Sequence, residues 1–382
     1  MTDCKDKLIS LLTCAMRGEP GQQILPDSIS DDEIRELYEL AKKHDLAHLI
    51  GVALETAEPR VKKRYKPFFE ACVRSMYRYE WLKKEQERIC DLLEQHHIRY
   101  IPLKGAVIRD LYHEPWHRTS SDIDILIPAE SLETALAAFE KELSYTRGFK
   151  SRQHVTLEAP NGVHFELHFD GGGAYMDRDE LWADAQPQPS GSSLHILSNE
   201  MLMMMHLAHM ATHFVYGGCG IRPFLDLWLM NEKILFDREK LAQMLESHGL
   251  TKFSKVAFGL VEVWFHGKEA DKTELLMRDF VFSGGVYGNL NNRITFKRAA
   301  GKSKFAYILE RLFLPYSSIK VAYPVLNRHP WLLPVCWVRR WVRLIFAGKL
   351  RQLKNEHNIS RKLSADELND TGDLLKQLEL KK

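Results

Sequence analysis

Two aspartates alternate with isoleucines in the stretch RTSSDIDILIP, residues 118–128. Positions two apart in a β-strand point to the same face, so Asp122 and Asp124 are predicted to project side by side, with the isoleucines on the other face. Like charges this close repel each other, and burial strengthens the repulsion. A divalent cation between them removes that cost, and Mg²⁺ is bound by a few carboxylates together with phosphates and water. The stretch therefore predicts a half-buried strand that carries a metal site.

A second alternating stretch can supply a third carboxylate. VHFELHF, residues 163–169, places Glu166 on one face together with His164 and His168. In a sheet beside the DID strand, Glu166 would complete a three-carboxylate site that supports in-line phosphoryl or nucleotidyl transfer. HFELH also tolerates Zn²⁺, with the two histidines as ligands. Histidines that alternate on a strand are more often hydrogen-bonding partners, and both interpretations stay open.

The turn upstream of the DID strand is predicted to contact phosphate. Lys104 and Gly105 follow an apolar stretch, IRYIPL, that reads as a strand, and they open a short helix. Glycine lets the backbone approach a phosphate, and a helix N-terminus offers N–H groups. Lys104 adds a positive charge. Directly before the DID strand, Ser120 and Ser121 are expected to donate hydrogen bonds to phosphate oxygens, and Arg118 to pair with a phosphate bidentately, its alternative being a structural ion pair.

Periodicity places this small α/β core between helical regions. A capping box from Ser30 to Glu33 opens one helix, one long helix is expected after Pro67, and residues 131–143 form a helix with Ser131 as its N-cap. Residues 154–159 and 163–169 flank Pro160-Asn161-Gly162, which is a hairpin signal. We therefore predict an α+β protein with four regions. These are an N-terminal helical region 1–97, an α/β core 98–190, a C-terminal helical domain 191–354 and a polar tail 355–382 that forms at most a peripheral helix.

Composition and charge limit the classes of function and the cellular location that the chain can have. The 382 residues are 45% hydrophobic and 27% charged, and the net charge of +2 predicts no avid polyanion binding by the whole molecule. Six cysteines without metal-like spacing fit a reducing compartment. Residues 201–221 lack charged side chains but carry three histidines and end in glycines, so we predict a buried helix running into a turn rather than a membrane span. The N-terminus is too charged for a signal peptide, and we expect a cytoplasmic protein with no integral membrane association.

Three further groups of residues have candidate roles. His206, His209 and His213 lie along one side of a predicted helix, where they either line the active-site cleft or sit inside a methionine-rich core. Arg222 and Asp226 lie four apart, so an intrahelical ion pair is their simplest role. Residues 328–354 combine arginines, lysines and tryptophans without an acid, which fits peripheral contact with nucleic acid or a membrane surface, or tryptophans packed on the core.

PLKGAVIRDLYHEPWHRTSSDIDILIP followed by VHFELHF resembles the nucleotidyltransferase superfamily of DNA polymerase β, and looks closest to a bacterial branch of uncharacterised nucleotidyltransferases. The resemblance implies a polymerase β-like core of a small mixed sheet with helices. It implies that Lys104 and Gly105 form the phosphate-binding turn and that Asp122 and Asp124 are the metal-binding pair. It makes Glu166 the third carboxylate. His168 matches the histidine that follows, and three further residues match the helical part behind the active site: His209, His213 and Asp226.

The resemblance also has departures. Ala106 follows Gly105, where the superfamily turn usually has serine or glycine, and the interval from the turn to the DID strand is long. The function that it implies is transfer of a nucleoside monophosphate from an NTP, ATP among them, to a hydroxyl acceptor, with pyrophosphate leaving. Mg²⁺ or Mn²⁺ would be the cofactor, and Glu166 the candidate base, directly or through its metal.

Three other functions remain open at this stage. A DxD glycosyltransferase holds Mn²⁺ on a sugar nucleotide, but that fold places several βα units before the DxD, whereas here a mainly helical region precedes the first strand. A binding module that kept the fold and lost turnover would bind a nucleotide without releasing pyrophosphate. A toxin-like enzyme would use the same chemistry on tRNA or protein. The acceptor is open between a small molecule, an RNA end and a protein.

Overall fold

A five-stranded mixed sheet carries the polar face predicted from the two alternating stretches. The structure is a computed structural model, and it describes residues 3–25, 28–56, 59–170, 175–286, 288–299, 309, 313–346, 359 and 363–380. The strands of this sheet lie in the order β1-β2-β5-β4-β3, with β2 and β5 parallel and the other pairs antiparallel. The strands, which include a separate two-stranded ribbon of β6 and β7, are β1 (Ile101–Pro102), β2 (Asp122–Leu126), β3 (Thr146–Lys150), β4 (His154–Glu158), β5 (His164–His168), β6 (Gln186–Pro187) and β7 (His195–Ile196).

Helices surround this sheet and make up most of the described chain. They are α1 (Cys4–Arg17), α2 (Asp31–Lys43), α3 (Ala47–Ala53), α4 (Pro59–Arg64), α5 (Lys66–Gln95), α6 (Gly105–Ile108), α7 (Leu132–Glu142), α8 (Arg178–Asp184), α9 (Asn199–Val215), α10 (Arg222–Lys233), α11 (Arg238–Ser247), α12 (Thr251–His266), α13 (Lys272–Gly284), α14 (Leu290–Ala299), α15 (Tyr316–Ala322), α16 (Leu333–Phe346) and α17 (Ala365–Leu378). The architecture is the predicted α+β class. The predicted capping box of Ser30 and Glu33, the long helix beginning beside Pro67 and the hairpin of β4 and β5 are confirmed.

The apolar face of the sheet packs under α5 and α7. Ile123, Ile125 and Ile127 are at most 2% exposed and join Phe165 and Leu167 in one core cluster with leucines of the two helices. Burial of this face turns the alternate positions of β2 and β5 outward on the other side of the sheet. The predicted alternation therefore fixes which side of the sheet carries the carboxylates.

A larger core unites the helices from both ends of the chain. Leu12 of α1 and Ile50 of α3 belong to the same cluster as Leu207 of α9 and Phe253 of α12. The tail that we expected to be at most peripheral also contributes, because Leu378 of α17 is fully buried in this core. The division of the chain at residues 97, 190 and 354 stays a prediction.

Several local expectations were wrong. The strand expected over 98–103 pairs in the five-stranded sheet only at Ile101–Pro102, since proline has no N–H and the backbone of Tyr100 bonds instead to Ser193 and His195. Ser131 makes no capping hydrogen bond with the described residues, because a 3₁₀ turn precedes α7 and leaves it with a helical backbone rather than an extended one. The sequence pattern also missed β3, whose residues are all exposed.

The basic C-terminal segment is described only up to residue 346. Trp337 donates its indole N–H to the carbonyl of Leu314 at 2.9 Å, within a small cluster that contains Ile319 and Cys336, whereas Trp331 is 73% exposed. Residues 347–354 lie outside the described residues. Among the helices of the described chain, none combines the length and the apolar character needed to cross a membrane.

Candidate active site

A cavity of about 410 Å³ lies between the polar face of the sheet and helices α9 and α10. Residues predicted from three separate stretches of the sequence meet here. All the predicted site residues line this cavity, namely Lys104, Gly105, Arg118, Ser120, Ser121, Asp122, Asp124, Glu166, His168, His209, His213 and Asp226.

Sheet register brings the carboxylates together. In the parallel pair of β2 and β5, Asp124 lies opposite Glu166, and Asp122 lies opposite His164. The side chain of His164 is exposed and is not among the residues that line the cavity. Of the two histidines considered as zinc ligands on β5, the structure therefore brings His168, and not His164, to the carboxylates.

Asp124 is the most enclosed of the three carboxylates. It is 6% exposed, and its Oδ1 accepts a hydrogen bond from Lys104 Nζ at 2.9 Å and lies 2.8 Å from His168 Nε2. Burial would raise the pKa of Asp124, but the charges and hydrogen bonds of Lys104 and His168 hold it well below its usual range. Asp124 is therefore ionised, with the Lys104 ammonium and the His168 imidazole beside its charge.

Asp122 has the opposite electrostatic environment. Burial and then the charge of Asp124 raise the pKa of Asp122, with Lys104 opposing them. The Ser121 hydroxyl is 3.5 Å from its Oδ1. The repulsion expected from the alternation is thus present, and a cation beside the pair would relieve it.

Glu166 lies between two histidines, of which His168 is a predicted site residue and His154 is not. Its Oε2 is 3.3 Å from His168 Nε2, and its Oε1 is 3.7 Å from His154 Nε2. The hydrogen bond with His168 lowers the pKa of Glu166 against the effect of burial. The signal for His154 was in the predicted hairpin, because pairing across the turn at 160–162 places residue 154 opposite residue 168, as observed.

The turn before α6 has a constrained backbone. Lys104 has φ 48° and ψ −112°, and a Cβ atom on Gly105 would lie 2.4 Å from Ser120 Oγ and 2.6 Å from Arg118 Nη1. Gly105 therefore lets the side chains of Ser120 and Arg118 lie close to its backbone. The predicted approach of a phosphate to this glycine stays a prediction. The expected supply of unpaired N–H groups is reduced, because Ala106 donates to Leu103 O at 3.2 Å and the next two N–H groups donate to Lys104 O.

Arg118 forms a buried bidentate ion pair with Asp226. Its Nε and Nη2 donate to the two carboxylate oxygens at 2.8 Å each, and the Tyr112 hydroxyl donates to Oδ1 at 2.7 Å. The predicted intrahelical pair of Arg222 and Asp226 is wrong. A buried carboxylate prefers the deeper guanidinium of Arg118, and Arg222 instead donates to the carbonyl of Thr119 at 2.8 Å. A bidentate contact with a phosphate would use Nε and Nη2 of Arg118, and both atoms already donate to Asp226.

The histidines of α9 form the wall opposite the sheet. His206 Nε2 bonds to the carbonyl of Pro223 at 2.8 Å, and the Nε2 atoms of His209 and His213 are 3.0 Å apart. Burial lowers the pKa of His209 well below its ordinary value and that of His213 to about 4. These imidazoles are neutral at pH 7. They sit in the methionine-rich core and line the cavity, so both earlier interpretations describe part of their role.

Two overlapping sets of side chains could hold a cation. Asp122, Asp124 and Glu166 offer carboxylate oxygens to the cavity. In the part of the chain that the structure describes, one group of three metal-ligating side chains has its ligand atoms all within 4.8 Å of one another, and it consists of His154, Glu166 and His168.

Comparison with protein families matches residues 30–266 to the family described as uncharacterised nucleotidyltransferase. No curated protein matches the chain. The matched range covers more than half of the sequence and contains the turn, β2, β5, and the cavity-lining parts of α9 and α10. It thus includes every predicted site residue that meets in the cavity. The chain belongs to the uncharacterised nucleotidyltransferase family.

Proposed function

We propose that the protein is a metal-dependent nucleotidyltransferase with a polymerase β-like core. It would transfer a nucleoside monophosphate from an NTP to a hydroxyl acceptor, with pyrophosphate leaving. The observation that carries this proposal is the convergence of the Lys104-Gly105 turn, the pair Asp122 and Asp124, and Glu166 on one cavity. Family membership supports the NTP substrate. An NTP substrate in turn fits a cytoplasmic location.

The three carboxylates fit Mg²⁺ or Mn²⁺. Their oxygen donors are the type that these cations prefer. Burial and then the charge of Asp124 raise the pKa of Asp122, and a cation beside the pair would offset both effects. Asp122, Asp124 and Glu166 would hold the cation. When bound, it supplies a lowered pKa for the attacking hydroxyl and charge neutralisation for the leaving pyrophosphate.

Lys104 is placed to exchange partners when substrate binds. Its ammonium donates to Asp124 and is 29% exposed at the cavity. Burial by itself would lower the pKa of Lys104, but the charge and hydrogen bond of Asp124, together with the charges of Asp122 and Glu166, raise it overall. We infer that Lys104 turns from Asp124 to the triphosphate, where a cationic donor stabilises the developing charge. Ser120 and Ser121 line the same wall and would donate hydroxyl hydrogen bonds to phosphate oxygens.

Arg118 is better assigned as a positioning residue than as a phosphate ligand. Its side-on edge is held by Asp226, and its Nη1 lies against the position that a Cβ on Gly105 would fill. Because Asp226 holds Arg118 in place, Arg118 in turn holds the Gly105 turn in position. Glu166 is the candidate base for the acceptor hydroxyl, and the neutral imidazoles of His209 and His213 offer hydrogen bonds to an acceptor without adding charge.

Calorimetric titration of each NTP with Mg²⁺ tests the proposal. The wild type is expected to bind at least one NTP in a Mg²⁺-dependent manner, and an Asp122→Asn/Asp124→Asn variant is expected to lose that binding while it stays folded. Glu158→Gln on β4 is the control, because Glu158 is exposed and lies outside the cavity lining. Release of pyrophosphate in the presence of candidate acceptors then identifies turnover. Failure of the folded wild type to bind any NTP would refute the proposal and favour a sugar-nucleotide donor.

A further inference from the structure

We propose that His154, Glu166 and His168 form a site for a first-row transition cation of the Zn²⁺ or Mn²⁺ type, beside the carboxylate pair. The site would make the centre a mixed imidazole–carboxylate one rather than an all-oxygen one. Its link to catalysis rests on the proposed function, whereas cation binding stands on the geometry of these three side chains alone.

Strand pairing builds this cluster. His154 and His168 are direct partners in the antiparallel pair of β4 and β5, and Glu166 precedes His168 by two positions on the same face. Directly opposed residues on one face of a sheet have neighbouring side chains. The three side chains therefore converge through the backbone register and need no loop to hold them.

The distances between the ligand atoms fit a shared cation. Two atoms that each lie about 2.1 Å from a tetrahedral Zn²⁺ are about 3.4 Å apart. Here the separations are 3.3 Å from His168 Nε2 to Glu166 Oε2 and 3.7 Å from His154 Nε2 to Glu166 Oε1. All three ligand atoms lie within 4.8 Å of one another. The cluster is thus close to ligating geometry as it stands.

The surroundings leave the cluster reachable and offer a further donor. The side chains of His154, Glu166 and His168 are 21%, 26% and 12% exposed, and all three line the cavity. Asp124 Oδ1 lies 2.8 Å from His168 Nε2, next to the group. Two imidazoles favour a transition cation, since Mg²⁺ prefers oxygen ligands and water.

Binding of Co²⁺ to the full chain tests the proposal, because Co²⁺ reports its ligands through visible absorption bands. The wild type is expected to develop these bands at one equivalent of Co²⁺, to lose them when Zn²⁺ is added, and to keep them when the same concentration of Mg²⁺ is added. His154→Ala is expected to weaken Co²⁺ binding by at least about 100-fold, since even the loss of a residue behind a ligand costs about 10–100-fold.

His164→Ala is the matched control. His164 is on the same strand and face as His168 but is exposed and outside the cavity, so this variant is expected to bind Co²⁺ as the wild type does. His154→Gln, closer in size to histidine, repeats the test if the alanine variant fails to fold. Wild type without Co²⁺ bands, or a folded His154 variant with unchanged affinity, would overturn the proposal and leave the cluster as a hydrogen-bond network.

Titration of the same proteins with Mg²⁺ and NTP separates the two proposals. Nucleotide binding without a Co²⁺ site would remove the transition-metal site and keep the proposed function. A Co²⁺ site without nucleotide binding would keep the metal site and remove the proposed function.

Discussion

Replacing Asp226 with asparagine is expected to destabilise the protein by about 3–5 kcal/mol, because it leaves the buried guanidinium of Arg118 without its counter-charge. The Asp226 side chain is 1% exposed and that of Arg118 is 8% exposed, so water cannot take over the lost partner. The amide oxygen of the introduced asparagine could still accept a hydrogen bond from Tyr112, and the loss is therefore concentrated on the ion pair. A cost of this size is a large part of the stability of an ordinary domain.

Urea unfolding at pH 7 measures this cost, and a double-mutant cycle isolates the pair. Arg118→Met/Asp226→Leu removes both charges together, so it is expected to be more stable than Asp226→Asn alone. Asp179→Asn is the control, because the Arg178–Asp179 pair has the same 2.8 Å separation but lies at the surface, with Asp179 76% exposed. Such a pair contributes at most about 1 kcal/mol.

Two outcomes would refute this reasoning. One is an Asp226→Asn protein whose free energy of unfolding lies within about 1 kcal/mol of the wild type, by the scale of a surface pair. The other is a double variant no more stable than the single one. Either result would mean that Arg118 finds another partner or is solvated, and Arg118 could then no longer be assigned as the residue that fixes the Gly105 turn.

Three further predictions concern single side chains. Gly105→Ala is expected to cost about 1–3 kcal/mol of stability in thermal unfolding, because its Cβ would meet Ser120 Oγ at 2.4 Å; adding Ser120→Ala should recover part of that cost, and no loss in the single variant would contradict the prediction. Burial lowers the pKa of His44 to about 4 from 6.5, so the unfolded chain binds the proton first and stability falls as the pH drops between those values. Other histidines whose pKa is lowered by burial, such as His213, add to the loss of stability between pH 7 and pH 5, but that loss should be about 2 kcal/mol smaller in His44→Met than in the wild type, as measured by urea unfolding; an equal loss in both proteins would exclude His44 as a contributor. Glu85→Gln is expected to cost about 1–3 kcal/mol in the same assay, because Glu85 is 1% exposed and accepts the Tyr145 hydroxyl at 2.6 Å; a cost near zero would show that the amide satisfies the same donors.

Much of the candidate site could be predicted from local patterns. Alternation alone indicated that Asp122 and Asp124 share a face, because the period of a strand is two whatever the fold around it. The Lys104-Gly105 turn was recognisable since glycine between a strand and a helix has few other uses. His154 was not among the predicted residues, although the hairpin signal at 160–162 already implies that it lies opposite His168.

Partners from distant parts of the chain could not be predicted in the same way. The pair of Arg222 and Asp226 was expected because they lie four apart in sequence, which is a valid local rule. In the structure Asp226 instead forms an ion pair with Arg118, a residue 108 positions away, because both side chains are buried and each charge requires a counter-charge. The edge strand β3 could not be predicted either. All its residues are exposed, so its pairing with β4 requires no alternation of hydrophobic and polar residues.

The two carboxylate-bearing strands, the glycine turn and the helical character of both flanks can be predicted from local sequence, because each follows from the spacing of neighbouring residues. Three contacts arise only in the folded protein: Lys104 and His168 meet on one oxygen of Asp124, His154 faces Glu166, and the α9 histidines form the opposite wall. These contacts depend on how the helices close over the sheet, and that closure is driven by burial of apolar surface from both ends of the chain, a property that no local stretch carries.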